Sequence, residues 1–417
     1  MSTKVEINLE SEDLLADSEY NIIIENLTPN RKYELRQELM NYYCINAPMK
    51  LDPKVNWQAK IVMQSDAFGR ISLKDNRAIS GSYQGIAQMG LFFNSQPEKM
   101  RKVLLPQNFS DIQLNQKFQI KISVSMENKL VAENTFERYF QSPNITSKDI
   151  NLGQAYGRVF YERGAVNQLA IIVLSGSDGR IEKAQNIAQL FASRGFVALA
   201  VCFFGLAGLP KNLAKIPIEI VAKSADYLKA LPQVDENRIG IYGRSKGAEL
   251  ALVAATYVNE FKCVVVNSPT IVILEGIKGW RNSRSSSWTY GGKELPYVKF
   301  RLKEFLQAKI TKKNMPLENK MAEIQIEKYT GALLCIGAKQ DEIWDSGHAI
   351  AQISKKMKKR SKSAGIFEEQ LYENSGHMLT IAYQPNNRYK KKFNWDKTLL
   401  DATNSWKRTI NFFQENL

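Results

Sequence analysis

The chain is most constrained at Ile239-Gly240-Ile241-Tyr242-Gly243-Arg244-Ser245-Lys246-Gly247-Ala248-Glu249-Leu250-Ala251-Leu252. A short apolar run, read as a buried strand, ends at Gly243-x-Ser245-x-Gly247, and an alanine- and leucine-rich helical pattern follows at once. A serine at the tip of so sharp a strand-to-helix turn requires a strained backbone, and the flanking glycines let strand and helix pass without a Cβ clash. This arrangement, a nucleophile elbow, leaves the hydroxyl exposed at a helix N-terminus, where the macrodipole and the next amide favour a developing negative charge. Ser245 is therefore the candidate nucleophile, and the backbone N–H of Lys246 is one half of an oxyanion hole. A plain strand-to-helix turn that happens to contain glycines is the competing reading.

Around this element the hydrophobic period changes along the chain. From Val5 to about Gln141 the pattern is all-β, with runs such as Tyr20–Ile24, Tyr33–Leu39 and Phe118–Val124 separated by the turn signals Thr28-Pro29-Asn30, Asp66–Gly69 and Met126-Glu127-Asn128. Short strands at this spacing predict a β-sandwich over residues 1–145, with Trp57 and Ala59 on alternating positions of one strand and Trp57 read as core in preference to a ligand contact. Gly81–Phe93 breaks the pattern and reads as a loop followed by a strand, either facing the neighbouring domain's site or packed in a sandwich corner. Ser, Pro, Asn and Gly then mark residues 146–157 as a linker. Beyond it, strands (Val159–Tyr161, Ala170–Leu174, Val197–Phe203, Arg238–Tyr242) alternate with helices (Ile181–Ser193, Ile218–Leu231). Cys263–Val266, Ala332–Ile336 and Phe367–Tyr372 continue the strands, predicting a parallel sheet covered on both faces over residues 158–417. The long, basic and poorly periodic stretch near 271–329 is expected to form a lid.

Composition narrows the class. Four widely spaced cysteines, Cys44, Cys202, Cys263 and Cys335, with no CxxC and only two histidines, argue against a zinc site and fit buried thiols in a reducing compartment. No metal and no cofactor are expected. The N-terminal stretch to Asp17 is polar and acidic, and no apolar run approaches the roughly 18 residues of a membrane span, so a cytoplasmic location without stable membrane insertion is the expectation. Lys and Arg outnumber Asp and Glu by 57 to 42, a net +15 that favours anionic partners. The excess concentrates in Lys278–Lys313 and Lys355–Arg360, yet no nucleic-acid-binding motif accompanies these runs, so no nucleic-acid partner is expected and Lys355–Lys362 reads as a solvated helix face. The oligomeric state stays open, a homo-oligomer included.

A serine nucleophile needs a base, and the base needs an orienting carboxylate. His377 follows the last strand of the pattern, near the chain's end, and is preferred over His348, which opens a helix. The loop after Leu333–Ile336 offers Asp341, Glu342 and Asp345. Asp341 lies nearest the strand end and is the candidate acid, while Asp345 reads as a helix N-cap. Ser245, Asp341, His377 is the chain order of an α/β-hydrolase triad. The second oxyanion donor is expected from Leu174–Gly179, at the N–H of Gly176 or Ser177.

These residues carry a specific resemblance. Gly243-x-Ser245-Lys246-Gly247-x-Glu249-Leu250, Asp341-x-x-Trp344-x-Ser346, Gly376-His377, Gly81-Ser82-Tyr83-x-Gly85 with Met89-Gly90-Leu91, and Ser405-Trp406 with Phe412-Phe413 together resemble the acyl-CoA thioesterase and bile acid-CoA:amino acid N-acyltransferase family over almost the whole chain. The resemblance implies an N-terminal immunoglobulin-like sandwich, a C-terminal α/β-hydrolase domain and an acyl-CoA substrate. It makes Lys278, Arg281, Arg284 and Lys293 candidates for pairing with the CoA phosphates, against the alternative of a solvated surface. Serine in place of the cysteine typical of the amino-acid-conjugating branch points to hydrolysis. Transfer to an amine, and hydrolysis of ordinary esters or peptides, remain the alternatives. Met378–Tyr383 lacks the family's paired prolines, which leaves the acyl chain length open.

Overall fold

The structure, a computed structural model, describes residues 4–48, 50–258, 260–279, 281–299, 320–361, 363–385 and 394–417. The chain divides into two compact units: Met1–Leu105 with Leu114–Pro143 and Thr380–Asn404, and Pro106–Gln113 with Asn144–Leu379 and Ser405–Leu417.

The first unit is built on a β-sandwich. Glu6–Glu10, Asn21–Glu25 and Ile71–Ser72 form one antiparallel sheet. In the other, Trp57–Gln64, Lys32–Met40, Lys117–Met126 and Lys129–Tyr139 lie side by side. Burial alternates along Trp57–Gln64, which places Trp57 and Ala59 in the core as the two-residue period requires. The hairpin at Glu127-Asn128 has both residues at positive φ, 50° and 62°, the turn whose twist matches that of the strands it joins. Tyr42 anchors the core, with the rings of Phe118, Phe92 and Phe140 at 4.9, 5.4 and 5.5 Å. Gly90–Phe93 is a short buried helix rather than a strand. Gly90 packs against the Tyr83 ring, where a Cβ could not fit, so this stretch is a packed corner of the sandwich.

The second unit is built on an eight-stranded sheet. Its strands are β1 (Ile145–Asn151), β2 (Tyr156–Glu162), β3 (Gln168–Leu174), β4 (Val197–Cys202), β5 (Val234–Arg244), β6 (Cys263–Asn267), β7 (Ala332–Ala338) and β8 (Phe367–Tyr372). Their order is β1-β2-β4-β3-β5-β6-β7-β8, parallel from β4 onward. β4, β6 and β7 are buried at every residue, as expected of apolar runs in a sheet covered on both faces. One face packs on helices α1 (Ile181–Ser193) and the end of α5 (Trp395–Asn416). Phe191 of α1 stacks on Trp406 at 5.1 Å and meets Phe413 and Tyr242 edge-on. The opposite face buries Ile172, Ile241 and Val264 against α2 (Glu219–Lys229), α3 (Lys246–Tyr257) and α4 (Ser346–Met357). This is the α/β-hydrolase fold. No helix among the described residues is long and apolar enough to cross a membrane.

Several stretches differ from the sequence reading. Residues 146–157, expected as a linker, form most of the β1–β2 hairpin. The composition is polar because β1 is an edge strand that buries only Ile145 and Ile150. The domain division at 145 and 158 is also simpler than the observed one. Thr380–Asn404 belongs with the sandwich, where Gln384 accepts the Ile45 N–H at 3.2 Å and the Tyr83 and Trp395 rings stand 5.0 Å apart. Pro106–Gln113 is held by Arg180, Arg158 and Gln185 of the second unit, which donate to the carbonyls of Pro106, Ile112 and Gln113. Finally, much of the expected lid is core: Ile271, Val272, Trp288, Ile324 and Tyr329 join the cluster under α3. Residues 300–319 of that insertion, including the end of the basic run at Lys313, lie outside the described residues, as does Lys362. Within the second basic run, Lys355, Lys358 and Lys359 are exposed as expected, whereas Lys356 pairs with Glu323 and Glu327, and Arg360 donates to the carbonyls of Tyr329, Gly331 and Gly365.

The elbow glycines are where sheet and helix come closest. A Cβ on Gly247 would run into the carbonyl oxygens of Leu174 and Ser175, and one on Gly243 would lie 2.8 Å from the Ala251 Cβ. The obstructing groups of β3 are backbone and cannot rotate away. Gly247→Ala is therefore expected to destabilise the second unit by about 1–3 kcal/mol, read as a lower urea midpoint, and a wild-type midpoint would show that strand and helix can separate at no cost.

Candidate active site

Ser245 is the residue between β5 and α3, at φ 56° and ψ −121°. Its N–H donates to the Asn267 carbonyl of the neighbouring strand end at 2.9 Å, and its carbonyl accepts the N–H groups of Ala248 and Glu249 at 2.9 and 3.1 Å. Its backbone is thus held on both sides.

His377 lies on the loop after β8 and is buried. Its Nε2 is 2.9 Å from Ser245 Oγ, and its Nδ1 is 2.9 Å from both carboxylate oxygens of Asp341, on the loop after β7. An acceptor at Asp341 keeps the proton on Nδ1 and leaves the Nε2 lone pair for the serine hydroxyl. Asp341 Oδ1 also accepts the N–H groups of Ile343 and Trp344, at 3.0 and 3.2 Å, which fixes the carboxylate plane.

The other candidates of this loop have different roles. Asp345 caps α4 by accepting the His348 N–H at 2.7 Å, and the His348 side chain is exposed. Glu342 accepts the backbone N–H of His377 at 3.1 Å. Trp344 donates from Nε1 to the Ser268 carbonyl at 3.1 Å and stands edge-on to the imidazole, 4.9 Å away at 86°.

Of the oxyanion candidates, Lys246 is the first residue of α3, so its N–H is among those a helix leaves without an internal partner. Gly176 is buried beside the nucleophile: a Cβ there would lie 3.1 Å from Ser245 Cβ and 3.5 Å from Oγ. Ser177 is exposed. Lys278, Arg281, Arg284 and Lys293 are exposed as well, and among the described residues none of the four forms a hydrogen bond or ion pair with the triad.

The Lys246 side chain escaped the sequence reading, which used only its amide. Lys246 and Glu249 are both buried, with Nζ 3.0 and 2.8 Å from the two carboxylate oxygens. Burial pushes the lysine below its ordinary range and the glutamate above its own, each opposed by the other's charge. A Lys-x-x-Glu spacing inside an otherwise apolar helix was the available signal, since buried charges require partners. The four cysteines are buried free thiols, and desolvation pushes those of Cys202, Cys263 and Cys335 up, as for core residues.

Comparison with known proteins agrees with this architecture. Residues 17–152 match the family model described as acyl-CoA thioester hydrolase/BAAT N-terminal region, and residues 216–417 match BAAT / acyl-CoA thioester hydrolase C terminal. The chain is 25% identical over 356 residues to acyl-coenzyme A amino acid N-acyltransferase 2 of Mus musculus, covering 82% of this chain and 81% of that protein. It is 24% identical over 374 residues to acyl-coenzyme A thioesterase 1 of Rattus norvegicus, covering 88% and 84%. With acyl-coenzyme A thioesterase 5 of Mus musculus it shares 24% identity over 426 residues, covering 96% and 94%. With both of its ends matched in chain order by models of one family, and relatives aligned along most of its length, the chain belongs to the acyl-CoA thioester hydrolase/BAAT family.

Proposed function

We propose that the protein is an acyl-CoA thioesterase that releases free acid and CoA through an acyl-Ser245 intermediate. The observation that carries this reading is the hydrogen-bonded line from Asp341 through His377 to the Ser245 hydroxyl. Ser245 Oγ attacks the thioester carbonyl while Nε2 takes its proton, and the Asp341 carboxylate stabilises the imidazolium that forms. The N–H groups of Lys246 and Gly176 receive the developing oxyanion. Collapse of the tetrahedral intermediate expels CoA, which leaves as thiol with the proton from His377. Water, deprotonated by the same nitrogen, then attacks the acyl-serine and regenerates the enzyme. The buried thiols fit our reading of a cytoplasmic enzyme.

A second reading is favoured by the relatives, which by name include an amino acid N-acyltransferase at 25% identity beside a thioesterase at 24%. In it an amine replaces water in the second half-reaction. Incubation with a long-chain acyl-CoA and glycine or taurine, followed by mass spectrometry, is expected to give free acid alone. A dominant amide product would assign the enzyme to transfer. A thiol-release panel over short, medium, long and bile-acyl CoA esters then identifies the acyl group.

Ser245→Ala is expected to leave a folded protein whose thiol release from acyl-CoA falls about 10⁴-fold or more. Near-normal release by that variant would remove Ser245 from the mechanism. His377→Ala is expected to lose about 10³-fold or more in kcat, and His348→Ala less than about twofold. The reverse ranking in the same assay would identify the wrong base.

A further inference from the structure

The Lys246–Glu249 pair does more than neutralise two charges. Lys246 Nζ also donates to Ser287 Oγ at 2.7 Å and to the Leu274 carbonyl at 3.4 Å. Glu249 Oε1 accepts the Leu274 N–H at 3.0 Å and the Trp288 indole N–H at 2.7 Å, and Lys246 Nζ lies 5.6 Å from the centre of the Trp288 ring. Both polar backbone groups of Leu274 therefore meet side chains of α3, and its carbonyl also accepts the Ser287 hydroxyl at 2.8 Å, so that Ser287 relays the lysine's hold to Leu274. Leu274 immediately precedes the hairpin formed by Glu275–Lys278 and Arg281–Ser286, and Ser287 and Trp288 immediately follow it. The pair grips the open end of that hairpin by both strands.

A buried ion pair is a poor means of adding stability, because well-packed apolar side chains in its place are often neutral or stabilising. Apolar side chains could not hold Leu274 through both its N–H and its carbonyl. The residue whose side chain makes this connection is also the residue whose amide lies next to Ser245.

We propose that Lys246 and Glu249 are positioning residues, which fix the oxyanion-binding amide of Lys246 by clamping the first turn of α3 to the base of the 275–286 hairpin. The inference rests on the thioesterase reading of Ser245. The clamp acts on the transition state, in which the oxyanion develops, and so affects kcat rather than KM.

The test compares Lys246→Met, Glu249→Met and the double variant by thermal unfolding, by acyl-CoA thiol release, and by inhibition with an acyl trifluoromethyl ketone, which forms a tetrahedral adduct on the serine. Each single variant leaves an unmatched group in the core and should lower the unfolding temperature. The double variant should recover part of that loss, because no unpaired charge remains, yet stay down about tenfold or more in kcat with KM within about twofold, and bind the ketone correspondingly more weakly. Recovery of kcat together with stability would show the pair to be structural only and overturn the proposal. If the lysine and glutamate variants do not fold, Ser287→Ala, which removes one partner of Lys246 Nζ, should lower kcat about threefold at unchanged KM, and an unchanged kcat would overturn the proposal. Retention of thiol release by Ser245→Ala would instead overturn the underlying thioesterase reading.

Discussion

A serine held at positive φ between a parallel strand and a helix is the constraint on which this structure depends. A non-glycine residue in a sparsely populated backbone region costs on the order of 1–3 kcal/mol and persists only where its surroundings over-determine it. Here the surroundings are the Asn267 carbonyl on one side and the first amides of α3 on the other. The glycines at 243 and 247 let α3 pass against β3 and β5 at backbone distance. In this conformation the hydroxyl meets the imidazole of His377.

The rest of the site follows from parallel pairing. β5, β6, β7 and β8 are parallel, so their C-terminal ends share one edge of the sheet, where the loops of an α/β protein gather functional groups. Ser245 follows β5, Asp341 follows β7 and His377 follows β8. Trp344 and Glu342 then tie the loop after β7 to its neighbours, Trp344 to the end of β6 through the Ser268 carbonyl and to the imidazole edge, Glu342 to the loop after β8 through the His377 amide. Catalytic geometry and sheet topology are in this sense one arrangement, since a shift of register at β8 would move His377 off the serine.

Strongly periodic elements were legible in the sequence. α1 and β8 have the bounds their patterns predicted, and the fully apolar runs are the central strands. The readings that failed share a physical cause, because each judged a segment by its composition where tertiary packing decided its state. β1 looks like a linker since an edge strand has one wet face. Leu91-Phe92-Phe93 looks like a strand, yet its aromatic residues fill a corner of the sandwich in a single helical turn. The stretch near 271–299 lacks periodicity because its short strands serve small separate sheets, and its apolar residues nevertheless lie under α3.

By itself, the sequence singled out Ser245 as the candidate nucleophile and His377 as its candidate base, and narrowed the acid to one loop. The elbow spacing permits one backbone path, and the chain holds two histidines, of which one follows a terminal strand. Only the tertiary structure decided among Asp341, Glu342 and Asp345, because which carboxylate reaches an imidazole depends on how one loop folds over another strand's end. It also decided what the lysine after the nucleophile does. An amide at a helix N-terminus follows from local geometry, but a side chain's partners come from whatever the rest of the chain brings to it, and here that is the two ends of a hairpin some thirty to forty residues away.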